Sequence, residues 1–201
     1  TAAVSALSNN KIKLNCKVCQ LVKLYKNGEP FKMSKRAGDF ISAQDLLNEV
    51  DKDQIRFMML YRSNDVELDF DFDKVKEKTK DNPVFYVQYA YARINSILRT
   101  LEISFQNKAL LDEDDFQLNE IEEKIIRKIF EWPKIIDSAS KKFDLHKIPF
   151  YLYELSTLFH SYWSKGNENK KYKFIVNNKI NRKEILVIIN LVAIVLQNGM
   201  S

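Results

Sequence analysis

The stretch Phe31-Lys32-Met33-Ser34-Lys35-Arg36-Ala37-Gly38 holds the side chains best suited to chemistry. Lys32 and Lys35 stand three positions apart, with the hydroxyl of Ser34 between them. A lysine ammonium is a point charge on a long flexible stem, able to follow phosphate oxygens as they move. Two such stems on one loop can converge on a triphosphate and balance the charge that develops as a phosphate bond breaks. Gly38 frees the backbone to close and reopen. Charge and spacing by themselves fit a solvated basic turn better.

A second set is aromatic. Val84, Val87, Tyr91, Ile94, Leu98 and Leu101 recur at three-and-four spacing and predict a helix over residues 84–101, with these side chains on its core face. At about 100° per residue, Tyr86, Tyr89 and Arg93 share another face, roughly 140° from that stripe. Two aromatics and an arginine off the core face could stack on and pair with unstacked bases. They equally fit a second packing face of a helical bundle, where tyrosine hydroxyls find partners. His160 and Trp163, near the end of a helix predicted over residues 146–163, are open to the same two readings. A lone histidine on such an apolar face favours the core.

The remaining polar groupings carry less. Cys16 and Cys19 form one Cys-x-x-Cys pair, and only His146 and His160 remain as distant soft ligands, so no metal site is expected. The pair alternates with Leu14, Val18 and Leu21 in a strand-like run, which suggests two buried, reduced thiols. Residues 112–123 carry seven acidic side chains and read as a solvated loop and helix start that would face away from RNA. Residues 165–183 are the most basic segment, with Lys170, Lys171 and Lys173 around Tyr172, then Arg182 and Lys183. That cluster suits a phosphate backbone and equally suits an ordinary loop.

The elements that must position these groups are mostly helical. Among 201 residues there are only four glycines and four prolines, and 45% are hydrophobic, enough for a substantial core. The formal charge of +5 makes an acidic partner plausible. Asn27-Gly28 between apolar runs predicts a β-hairpin that gives the lysine loop a rigid base. Ser42 should cap a helix over residues 43–49, with Asp45 at its third position. Helices follow over about residues 51–61 and 73–80. The alternating acidic and apolar residues 66–73 read as a surface connector and domain boundary. Pro83 suits the first turn of the long helix after it. Pro133 separates two further helices, one before it and one over residues 135–143. Residues 182–197 form a last, buried helix, too short in its apolar run for the roughly 20 residues of a membrane span. No signal peptide is visible at residues 1–10. The chain reads as a piece of a longer protein.

Lys32-Met33-Ser34-Lys35 resembles the second signature loop of class I aminoacyl-tRNA synthetases. The flanks narrow this. Asn27-Gly28-Glu29-Pro30-Phe31 through Arg36-Ala37-Gly38-Asp39-Phe40, Asp53-Gln54-Ile55-Arg56-Phe57-Met58-Met59-Leu60 and Asp81-Asn82-Pro83-Val84-Phe85-Tyr86-Val87-Gln88-Tyr89-Ala90-Tyr91-Ala92-Arg93 resemble arginyl-tRNA synthetases, in the family's order.

The resemblance implies a mainly α chain. An all-α bundle of the anticodon-binding type, residues 71–201, would follow a short α/β remnant of a class I nucleotide-binding catalytic domain, residues 1–70, with the hairpin and the lysine loop. It implies arginine–tRNA ligation with ATP through an arginyl-adenylate. Lys35 and Lys32 would be catalytic, and Lys32, Met33, Ser34, Lys35 and Arg36 would bind ATP. Tyr86, Tyr89, Arg93 and Trp163 would contact tRNA. The implied partners are tRNA(Arg), ATP with Mg2+ and arginine in a full-length cytoplasmic enzyme. No tightly held cofactor and no membrane partner are expected, and a monomer is. The family's other signature, His-Ile-Gly-His or a variant, is absent from these residues, so the chain alone is expected to be inactive. Asp39 and Tyr91 stand where the family commonly has asparagine and histidine. The alternative readings are another class I synthetase, a non-catalytic helical RNA-binding module and a helical scaffold for protein.

Overall fold

The structure, a computed structural model, describes residues 2–12, 14–31, 41–103 and 116–201. Lys32, Met33, Ser34, Lys35 and Arg36 lie outside the described residues, as do Gly38, Asp39 and the acidic residues 112–115.

A short helix α1 (Ala2–Leu7) comes first. The strands β1 (Val22–Lys26) and β2 (Glu29–Pro30) form the expected hairpin. Asn27 and Gly28 both take positive φ, 54° and 76°, the conformation that matches the twist of a tight antiparallel pair. Helix α2 (Ala43–Glu49) starts at Ser42, which accepts from the Asp45 amide while the Asp45 carboxylate accepts from the Ser42 amide. Helix α3 (Lys52–Leu60) follows.

The alternating stretch after it is not a surface connector. Leu68–Asp71 forms strand β3, parallel to β1, with Leu68 and Phe70 buried. Its period of two is that of a half-buried strand, and the acidic residues take the exposed face. Asp71 then caps α4 (Phe72–Lys76), accepting from the amides of Asp73 and Lys74. Leu24, Leu68, Phe70, Phe72 and Val75 make one small core, with Ile55 and Met59 of α3 against it.

The cysteines depart from expectation as well. Cys16 and Cys19 are free and exposed, and β1 begins only at Val22. Strand β3 reaches no further back than Leu68, opposite Val22, and no strand among the described residues pairs with the alternating run upstream. Leu14, Val18 and Leu21 are correspondingly exposed.

The second, larger core is a helical bundle. It comprises α5 (Pro83–Thr100), α6 (Glu120–Phe130), α7 (Trp132–Lys142), α8 (Lys147–Glu168) and α9 (Lys183–Met200). Pro83 sits in the first turn of α5 behind the cap Asn82, whose buried amide also donates to the carbonyls of Val75 and Glu77. Val84, Val87, Ile94 and Leu98 are buried, while Tyr91 and Leu101 pack at the margin. Between α8 and α9 lie a 3-10 turn (Lys170–Tyr172) and a second hairpin, β4 (Ile175–Val176) with β5 (Lys179–Ile180). Its turn residues Asn177 and Asn178 both have positive φ. Helix α9 is long and apolar enough to cross a membrane, yet half of it is buried inside this fold, as in a core helix. Helix α3 joins the two cores: Phe57 belongs to the second, Ile55 to the first, and Met58 packs on both.

Candidate nucleic-acid interface

Helices α5 and α8 pack side by side, and one edge of the pair carries the aromatic face. Tyr86, Tyr89 and Arg93 project from α5 at the predicted spacing. His160 and Trp163 come from α8. The guanidinium of Arg93 lies 4.4 Å from the centre of the Tyr89 ring and 5.0 Å from that of Trp163. It donates to the Tyr89 hydroxyl at 2.6 Å and to Nδ1 of His160 at 3.1 Å. His160 stacks on Tyr89 at 5.4 Å and lies 4.3 Å from the Tyr86 ring. All four of the sequence-predicted contacts on these helices therefore form one cluster, with His160 beneath them.

Burial divides the cluster into a floor and a surface. His160 is 5% exposed, so the expectation that it belongs to the interior holds. Tyr89 is 42% exposed. Tyr86 is half-buried against Tyr153 and His160, and burial pushes its phenol above the ordinary range. Burial also pushes the His160 imidazole below its ordinary value; the Tyr86 carbonyl opposes this and the charge of Arg93 reinforces it. An open groove of about 380 Å³ runs alongside, lined by Tyr89, Ala92, Arg93, Ser96, Trp163 and Ile175.

The second hairpin supports this edge from behind, a role that no motif announced. Phe174 is buried, with its ring 5.2 Å from Trp163 in an edge-on contact. The signal was present as Asn177-Asn178 between the apolar pair Ile175-Val176 and Ile180, a turn pattern of the same kind as Asn27-Gly28. Gly166 lets the turn come close: a Cβ there would stand 2.8 Å from the Tyr172 carbonyl oxygen. Lys170, Lys171 and Lys173 are exposed on this turn. Lys165 and Lys171 lie over the Tyr172 ring at 5.3 and 5.8 Å.

Two charged residues fall elsewhere than expected. Glu122 is fully buried, not part of a solvated run. It caps α6 through the Asn119 amide and accepts from Tyr162 at 2.5 Å and from Arg182 at 3.1 Å. Arg182 also donates to the Gln117 carbonyl and pairs with Glu184 at 3.5 Å. It is committed to the fold and is not one of the solvent-facing cations of the basic segment. Tyr91 lines a separate cavity of about 490 Å³ beside Trp132, Arg56 and Asn198, away from Arg93.

A cation held between two rings, beside an open groove and near exposed lysines, can stack on bases and neutralise phosphate. Fold and face together define a helical anticodon-binding domain, and the chain belongs to the DALR anticodon binding domain family, which matches residues 87–201. Over its whole length the chain is similar to arginine–tRNA ligases. It is 52% identical to that of Pelagibacter ubique over 200 residues, covering 100% of this chain and 35% of the relative. It is 51% identical to that of Ruegeria pomeroyi over 178 residues, covering 87% of this chain and 31% of the relative. A solved Campylobacter jejuni structure described as an arginyl-tRNA synthetase superposes with a TM-score of 0.75 at 29% identity, over 90% of this chain and 38% of that one. The chain spans about a third of the length of the curated relatives it matches.

Proposed function

We propose that this chain is the anticodon-reading part, with the adjoining end of the catalytic domain, of an arginine–tRNA ligase. The observation that carries the reading is Arg93, held between Tyr89 and Trp163 on an exposed edge of α5 and α8. Tyr86, Tyr89, Arg93 and Trp163 would stack on and pair with anticodon-loop bases, while Lys170, Lys171 and Lys173 meet the backbone. The two hydrophobic cores support a division into two domains. Phe72 and Val75 of α4 pack in the first core, which favours a division just after α4 over one at residue 70.

In the whole enzyme the arginine carboxylate attacks the α-phosphate of ATP, forming arginyl-adenylate and releasing pyrophosphate; the arginyl group then passes to tRNA(Arg). Lys35 and Lys32 would pair with charge growing on the departing pyrophosphate, and Met33, Ser34 and Arg36 would complete the ATP contacts. Positioning and electrostatics suffice, with no covalent enzyme intermediate. Mg2+ would accompany the ATP. The chain alone would bind tRNA without forming adenylate, as a cytoplasmic monomer.

The test is binding of this chain to an arginine tRNA and to the same tRNA with its anticodon replaced, at two salt concentrations. Preferential, salt-sensitive binding to the first is expected. Equal binding to both would sink the anticodon reading, and pyrophosphate release by this chain alone would sink its inactivity.

A further inference from the structure

His160 has a hydrogen-bonding arrangement that only one of its protonation states can satisfy. Its Nε2 lies 3.1 Å from the Tyr86 carbonyl oxygen, which can only accept. Its Nδ1 lies 3.1 Å from a nitrogen of Arg93, which can only donate. The ring must therefore carry its proton on Nε2 and leave Nδ1 bare. A doubly protonated ring would turn an N–H toward the guanidinium, setting donor against donor and cation against cation.

We infer that His160 is a positioning residue: as the neutral Nε2–H tautomer it holds Arg93 between Tyr89 and Trp163, and its protonation releases Arg93 and weakens RNA binding. This rests on the reading of the face as RNA-binding. The surroundings agree with it. Arg93 of α5 is the charged group acting on the ring among the described residues, and the phenols of Tyr86 and Tyr89 are the other titratable groups against it. On the hairpin side, apolar Phe174 packs against Phe159 and Trp163, its neighbours along α8. With His160 only 5% exposed, the charge that a proton adds there is poorly solvated by water. The sign of the effect is distinctive, because a cation added near phosphate ordinarily strengthens RNA binding.

The experiment uses the whole chain and an anticodon stem-loop RNA of an arginine tRNA. Nitrogen-15 NMR of the protein alone reads the tautomer, with His146→Asn identifying the second of the two histidines. Protonation at Nε2 alone is expected at neutral pH. Affinity is then followed from about pH 7.5 to about pH 4.5, reaching well below the ordinary histidine range because burial and Arg93 lower the value of His160. Wild type should weaken about tenfold on acidification, the scale of one charged hydrogen bond. His160→Asn, whose amide oxygen can accept from Arg93 but does not titrate, should bind with no such pH dependence. His160→Ala should bind weakly throughout. A proton on Nδ1, an affinity that holds or rises on acidification, or a His160→Asn variant with the wild-type profile would overturn the inference. Equal binding to a stem-loop with a replaced anticodon would instead sink only the anticodon reading, leaving the tautomer and the pH profile to decide the role of His160.

Discussion

Glu122, three residues into the capping box of α6, holds Arg182 at 3.1 Å from across the bundle, just before α9 begins. The carboxylate is fully buried and also receives the Tyr162 hydroxyl. Removing it would leave the buried Tyr162 phenol without its acceptor and Arg182 with only the Gln117 carbonyl and Glu184. Glu122→Ala is expected to destabilise the fold by about 3–5 kcal/mol, the range for breaking a buried pair from one side. Urea unfolding monitored by circular dichroism reads this directly; a loss below about 1 kcal/mol would mean the pair is worth no more than a surface one.

Arg93→Lys tests the aromatic clamp. Lysine keeps the charge but lacks the planar fork that reaches Tyr89 and His160 together. Anticodon stem-loop binding should weaken by about 1–3 kcal/mol, as for loss of a stacking partner, with little change in melting temperature. Calorimetric titration measures it, and unchanged affinity would show that Arg93 serves only as a point charge.

Gly166→Ala places a methyl against the Tyr172 carbonyl oxygen, which belongs to backbone and cannot swing aside. The turn carrying Lys170 and Lys171 must shift, and a loss of about 1–3 kcal/mol is expected, as for overpacking. Thermal unfolding gives the size of the effect, while RNA affinity tells whether Trp163 moves with the turn. Wild-type stability in this variant would mean the turn yields freely.

Acid should cost the folded chain stability through His160. Its pKa in the fold is lowered, first by burial, so the unfolded chain takes up the proton more readily. The contribution is present above the unfolded value of about 6.5 and is lost as pH falls through the lower folded value. Denaturation midpoints of wild type and His160→Asn should therefore diverge less at about pH 5 than at about pH 7.5. A constant gap between the two would contradict a depressed pKa.

Lys171→Ala with Lys173→Ala should reduce the salt dependence of binding without changing anticodon preference. Each phosphate contact to a single strand contributes about 0.7 to the logarithmic slope. Affinity measured across a salt series would expose the change, and an unaltered slope would place the RNA backbone elsewhere.

What the sequence determined by itself was mostly local. Asn27-Gly28 demands a tight turn because of its backbone preferences, Pro83 behind Asn82 opens a helix for the same reason, and Ser42 with Asp45 closes its own capping box. The spacing of Tyr86, Tyr89 and Arg93 put them on one face, since helical periodicity needs no knowledge of neighbours. Tertiary structure decided what lay across from them. Strand β3 was hidden in an acidic alternation because its partner β1 lies 46 positions earlier. Cys16 and Cys19 are exposed in a run to which no strand among the described residues pairs, and Glu122 is buried because Arg182 arrives from another helix end. His160 looked like one more interior residue along α8. Only the packing of α8 on α5 set its two nitrogens between a carbonyl and a guanidinium, because a hydrogen-bond partner 67 positions away leaves no trace in local spacing.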